Sequence, residues 1–184
     1  MPEPKKEGGM PLYEALNKRG SLRDFDDLIK VPYEILSQAL WSCYGFNDEK
    51  HRTVPSAKSW YPFLIFVFIE DGVYKYNPVG HELVKLFDGD YRDITWTQTT
   101  IVNKARVNLV FIGNKRKETI IKPEKKIKAF QLDIGHVTMV LSLFASANNM
   151  KGVVRGMVDS DKLLDFLQLN QDDYAFALAF SLGY

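Results

Sequence analysis

The sequence predicts a single α+β domain built on a mixed, mainly antiparallel sheet flanked by helices. Three observations carry this. Phe63 to Ile69 is apolar at every position, the pattern of a strand buried on both faces. Asp71-Gly72 is a strong hairpin signal, and Val73 to Tyr76 alternates as a return strand, so antiparallel pairing is present. Residues 131–149 place Ile134, Val137, Val140, Leu141, Phe144, Ala145 and Asn148 three and four apart, a helix with one apolar face.

The remaining elements follow in chain order. Residues 1–10, rich in Pro, Gly, Glu and Lys, read as a flexible start, and 11–184 as one domain. Pro11 opens a helix through Leu12, Ala15 and Leu16 that ends at Arg19-Gly20. Residues 21–27 form a polar connector. Pro32 opens a second helix, with Ile35, Leu36, Ala39, Leu40 and Tyr44 on its face and Gly45 as its stop. Segment 51–62 mixes polar and helix-breaking residues with Trp60-Tyr61-Pro62, the composition of a long loop that carries function. A third strand runs over Val107 to Ile112 and a short one over Val153-Val154. Leu163 to Leu167 marks a helix, and Phe176 to Leu182 a last buried strand.

Composition narrows the function classes. The net charge of +1 gives no electrostatic footprint for nucleic acid or an anionic membrane, and neither is an expected partner. No run approaches ~18 uninterrupted apolar residues. The start of the chain fits a cytoplasmic protein or an exported one whose signal is absent from this sequence. The single cysteine, Cys43, lies among Trp41, Ser42 and Tyr44 and reads as a buried, inert thiol.

The sequence holds no Gly-x-Gly-x-x-Gly after a strand and no Walker-type phosphate loop. It has no Gly-x-Ser-x-Gly elbow and no His/Cys cluster with metal spacing. Side chains therefore do not visibly carry chemistry, which points to a bound organic cofactor if the protein is an enzyme.

Four patches stand out. Lys18 to Arg23 gathers three cations and Ser21 at a helix exit, a fork-rich set suited to phosphate, or else an ordinary solvated turn. Pro55-Ser56-Ala57, with Tyr61-Pro62 behind, is either a placed loop or a plain one. At Val154-Arg155-Gly156 the glycine lets a flat ring approach the backbone, where a free N–H could donate to a ring nitrogen. The structural alternative is a bent strand end. Asp133-Ile134-Gly135-His136 reads as a helix opening, with Asp133 as cap.

In this order and spacing the patches resemble the FMN-dependent nitroreductase superfamily, in particular its compact branch with the azoline oxidases of peptide-toxin maturation. The resemblance spans nearly the whole chain and includes the terminal Leu182-Gly183-Tyr184. It implies a domain-intertwined homodimer with FMN bound across it. Arg19, Ser21 and Arg23 would hold the phosphate and the pyrimidine side. Pro55, Ser56 and Ala57 would reach the flavin of the other subunit. Val154, Arg155 and Gly156 would lie beside the ring, and Gln98 would touch its pyrimidine edge. The implied activity passes a hydride from NAD(P)H through the flavin to a small organic acceptor, a nitroaromatic, quinone or similar, by a ping-pong mechanism. No side chain is expected to be catalytic. The rival expectation is a non-catalytic flavin-binding or interaction module on the same fold. Many members carry two further basic residues after the last strand. Without them the phosphate is expected to rest on Arg19 and Arg23, with Arg52 as a further candidate. Lys58 and Trp60 stand where small or amide residues are common, which would narrow the pocket.

Overall fold

A computed structural model describes residues 1–97, 104–116 and 123–184, with side chains of the last stretch described from Lys125. Among these residues six strands form one sheet in the order β3-β2-β1-β4-β6-β5. They are β1 (Phe63–Ile69), β2 (Gly72–Asn77), β3 (Glu82–Asp88), β4 (Val107–Asn114), β5 (Lys151–Arg155) and β6 (Tyr174–Gly183). Every pairing is antiparallel. The sheet expected to be mainly antiparallel is therefore wholly so among the described residues. Among the described residues four α-helices flank it: α1 (Leu12–Lys18), α2 (Tyr33–Tyr44), α3 (Pro123–Ala147) and α4 (Ser160–Phe166).

The two-residue period of the strands divides the core into two layers. Ile65, Val67, Leu109, Phe111, Phe180 and Leu182 face α2 and α3, where they meet Leu40, Ile134 and Leu141. Phe66, Phe68, Val110, Ile112 and Ala179 face the opposite way, toward Leu163, Leu164 and Leu167 around α4. The centre of the sheet is thus covered on both sides, which explains why β1 shows no polar alternation. Phe111 and Phe130 are fully buried, and truncating either to Ala costs ~3–5 kcal/mol. At Gly113 any Cβ would stand 2.5 Å from the Phe130 ring, so only glycine lets α3 approach β4 this closely.

Several boundaries differ from those the sequence suggests. Helix α3 begins at Pro123, two turns before residue 131, because the amphipathic face continues beneath a lysine-rich stretch. Asp133 consequently sits mid-helix and is not a cap. Strand β3 is an element the hydrophobic pattern did not reveal: Val84 and Leu86 lie on its exposed side, so apolar residues occupy both faces of an edge strand. The stretch of α3 from Lys125 to Ala147 has the length and hydropathy of a membrane span. Half of it is buried within the domain, where it forms the floor of the larger core layer. The first residues lie against α2: Ser37 Oγ donates to the Pro2 carbonyl, and the Gln38 side chain exchanges two hydrogen bonds with the Lys5 backbone. Cys43 is wholly buried and free, and desolvation pushes its thiol pKa up, as expected of an inert cysteine.

Candidate functional site

Strand β5 closes one side of the sheet, so one row of its backbone groups faces outward. Residue Gly152 turns its carbonyl to that edge, where the Leu22 N–H donates to it at 3.1 Å. Residues two apart on a strand present their backbone to the same side. Val154 therefore faces the same open edge, and Gly156 follows one residue past the strand. The basic segment at residues 19–23 is thereby tied to β5 through Leu22 at Gly152, two residues before Val154.

Other contacts stitch that segment down. Phe25 is buried with Ala105 and Val153. The Asp26 N–H donates to the Tyr184 carbonyl at 2.6 Å, and Lys151 Nζ lies 3.3 Å from an Asp24 carboxylate oxygen. Arg19, Ser21 and Arg23 are left exposed. Arg23 donates to the Ser21 carbonyl at 3.1 Å, and neither arginine forms an ion pair among the described residues. Two exposed guanidinium groups on one short segment suit an oxyanion.

Arg155 belongs to two environments. Its backbone ends β5, while its side chain crosses to the α4 face of the sheet and is buried. There it donates to the Thr95 carbonyl at 2.6 Å and the Asn108 Oδ1 at 2.9 Å, and stacks 4.5 Å from the Trp96 ring. Burial pushes its pKa down to about 9, so it stays charged at neutral pH. The Thr95, Trp96 and Asn108 shell is invisible in sequence, since nothing about those residues signals a partner beyond β5.

Gly156 has space on the outer side: a Cβ there would meet only Leu178, at 4.0 Å. A side-chain-free backbone position past an edge strand, with two exposed cations on the segment bonded to that strand, fits a flat, phosphate-bearing cofactor such as FMN. Gln98, expected at its pyrimidine edge, lies outside the described residues.

The second half of the candidate site is the loop Pro55-Ser56-Ala57. Ser56 Oγ accepts from the Tyr61 N–H at 2.8 Å and donates to Asp133 Oδ2 at 2.6 Å. This anchors the loop to the middle of α3. Burial holds the Asp133 carboxyl above its usual range, and the Ser56 bond opposes that shift. Arg52 is committed elsewhere. Its guanidinium lies 4.2–4.5 Å from the rings of Tyr44, Phe46 and Tyr61 and donates to the Tyr44 carbonyl at 3.1 Å. It staples the 46–61 loop through cation–π contacts and is not displayed beside Arg19 and Arg23.

The two halves stand apart within one protomer. Ser146, near the end of α3, donates to the Ala15 carbonyl of α1 at 2.7 Å, whereas Asp133 holds the Ser56 loop. Those anchor points are about 20 Å apart at 1.5 Å per helical residue.

Comparison with known proteins agrees with this fold. The nitroreductase family model matches residues 16–184. The chain belongs to the nitroreductase family. A nitroreductase homologue of Methanocaldococcus jannaschii is 27% identical over 170 residues, 87% of this chain and 85% of that protein. The crystal structure of another nitroreductase homologue, from Ralstonia eutropha, superposes with a TM-score of 0.91 at 29% identity, covering 100% of this chain and 87% of that one. A third, from Desulfovibrio desulfuricans and solved in complex with FMN, gives a TM-score of 0.68 at 20% identity over 96% and 87% of the two chains. This nitroreductase-family chain shares the fold of these structures across its length.

Proposed function

We propose that this nitroreductase-family protein is a homodimeric FMN-dependent oxidoreductase that takes reducing equivalents from NAD(P)H and passes them to a small organic acceptor in two half-reactions. The observation that carries the reading is the Leu22–Gly152 backbone bond, which ties the segment holding the exposed Arg19 and Arg23 to the edge strand that ends at Arg155, just before Gly156. The FMN-bound relative of the same fold supports the choice of cofactor.

Arg19 and Arg23 grip the phosphate, with the Ser21 hydroxyl as a further donor. The backbone of Val154 and Gly156 supplies donors to the ring edge, and the absence of a side chain at Gly156 admits the ring face. When bound, the flavin supplies hydride acceptance and donation. The protein's part is to orient the ring, keep one face open to each reactant in turn and fix the surrounding charge. That division agrees with the lack of an acid–base motif in the sequence.

A second copy completes the site by bringing its Pro55–Ala57 loop to the first copy's ring. Two features support it. One is the ~20 Å separation of the patches along α3. The other is the exposure of Met139 on α3, and of Leu12, Tyr13 and Leu16 on α1, an apolar surface suited to burial between subunits.

The test is an absorbance spectrum of purified protein with FMN, before and after anaerobic NADPH. Retained ~450 nm absorbance that bleaches on NADPH addition and returns with a quinone is expected. Protein that never retains FMN contradicts the reading. Bound FMN that NADPH and NADH cannot reduce supports the non-catalytic alternative.

A further inference from the structure

The Pro55–Ala57 loop and α3 together line a cavity of about 550 Å³. That volume suits a small organic ligand, which typically occupies ~300–1,000 Å³. Its walls are Pro55, Ala57, Ala129 and Leu132. Asp133 and His136 lie at one end, and Lys125 and Lys128 at the other. The α3 residues among these recur at three and four, so they form one stripe along the helix. The cavity is therefore apolar along its length and cationic at the end nearest the start of α3. Neither lysine pairs with an acid among the described residues. At the other end the Asp133 carboxylate is buried and already bonded to Ser56, which disfavours a second anion there. From Lys128 to His136 is about 12 Å along the helix, the reach of a fused-ring molecule with one substituent.

We infer that the acceptor is a planar molecule carrying an anionic group, its ring seated on Pro55, Ala57, Ala129 and Leu132 and its acid directed to Lys125 and Lys128. This rests on the proposed flavin reading, because the same loop is the one offered to the partner's ring. It goes further by naming the substrate class and the residues that select it.

The experiment compares 1,2-naphthoquinone-4-sulfonate with 1,2-naphthoquinone as acceptors for the FMN-loaded dimer, with NADPH as donor. The sulfonate is expected to show the lower KM, and added salt to raise it. In the double variant K125Q/K128Q the ratio of the two KM values should move toward one by about fivefold, the effect of two partly exposed ion pairs. K162Q, on α4 and remote from this cavity, should keep the wild-type ratio. Calorimetric titration with 2-naphthalenesulfonate, which is not reduced, gives a readout independent of turnover, and its Kd should weaken in the double variant by a similar factor. Equal KM values for the two quinones, or a ratio and a Kd untouched by K125Q/K128Q, overturn the proposal while the flavin reading stands. Protein that binds no FMN, or whose bound FMN neither NADPH nor NADH can reduce, removes both.

Discussion

Leu22 and Gly152 share a backbone hydrogen bond of 3.1 Å that joins the polar connector after α1 to the outer edge of β5. Their partnership ties the segment that carries Arg19 and Arg23 to the strand proposed to meet the ring. Leu22→Pro deletes the donor without touching an arginine. The variant should remain folded, because the connector keeps the Phe25 and Asp26 anchors. Its FMN affinity should fall about tenfold, the equivalent of one lost bond of ~1.4 kcal/mol in positioning. Fluorescence titration with FMN measures it, and an unchanged Kd would show that the bond does not position the cations.

Gly156 gives a complementary case. A Cβ there meets only Leu178, at 4.0 Å, so Gly156→Val is tolerated by the protein itself. It crowds the face offered to the ring. Urea unfolding should shift by less than ~1 kcal/mol, while FMN retention is lost. Loss of stability with FMN binding intact would reverse the assignment.

The Ser56–Asp133 bond couples loop position to pH. Asp133 is held above its usual pKa by burial, and Ser56 donation lowers it. Ser56→Ala removes the donor, leaves a buried carboxylate less satisfied and raises that pKa further. The carboxylate is the costly form, so the penalty, ~1–3 kcal/mol, is present at neutral pH. It diminishes as the pH falls through the folded-state pKa and Asp133 protonates. Thermal unfolding of wild type and variant at pH 7 and pH 4.5 should show the two curves converging in acid. A gap that widens in acid would contradict the account.

Arg155 is a buried cation that no acid meets among the described residues, held by Thr95, Asn108 and the Trp96 ring. Arg155→Met loses the donors but also removes the buried charge, and Asn108 keeps its bond from Ser181. Arg155→Lys keeps the charge and loses the planar fork. Lysine should therefore be the more damaging, by about 1 kcal/mol or more. Urea midpoints of the two variants decide it, and methionine below lysine would contradict it.

The fold was largely legible because strand and helix periods are strong where burial is one-sided or complete. Phe63–Ile69 and the apolar stripe of α3 illustrate both cases. Edge strand β3 was not, since Val84 and Leu86 face solvent and erase the alternation that marks a half-buried strand. The start of α3 was hidden by Lys125, Lys126 and Lys128, whose charged heads sit on a helix whose other face is already core. At the candidate site, the residue types at 19–23, 55–57 and 154–156 could be read locally. Their neighbours could not. That Asp133 bonds Ser56 rather than capping a helix, that Arg52 is enclosed by three rings and that Arg155 turns inward toward Asn108 are long-range facts of packing. The i, i+3 pair Asp133 and His136, beside a run of lysines at helical spacing, was the one local signal of the α3 cavity.

The most direct test of the shared site mixes two inactive variants. Arg19→Gln with Arg23→Gln damages the cationic edge, and Ala57→Trp damages the loop. Each homodimer should fail to retain FMN. If every site takes its edge from one copy and its loop from the other, a hybrid of the two variants carries one intact site. Random one-to-one re-assembly should then restore FMN to about a quarter of wild-type occupancy. Mixtures that stay empty while each variant remains folded and dimeric would place both patches on the same chain and contradict the account.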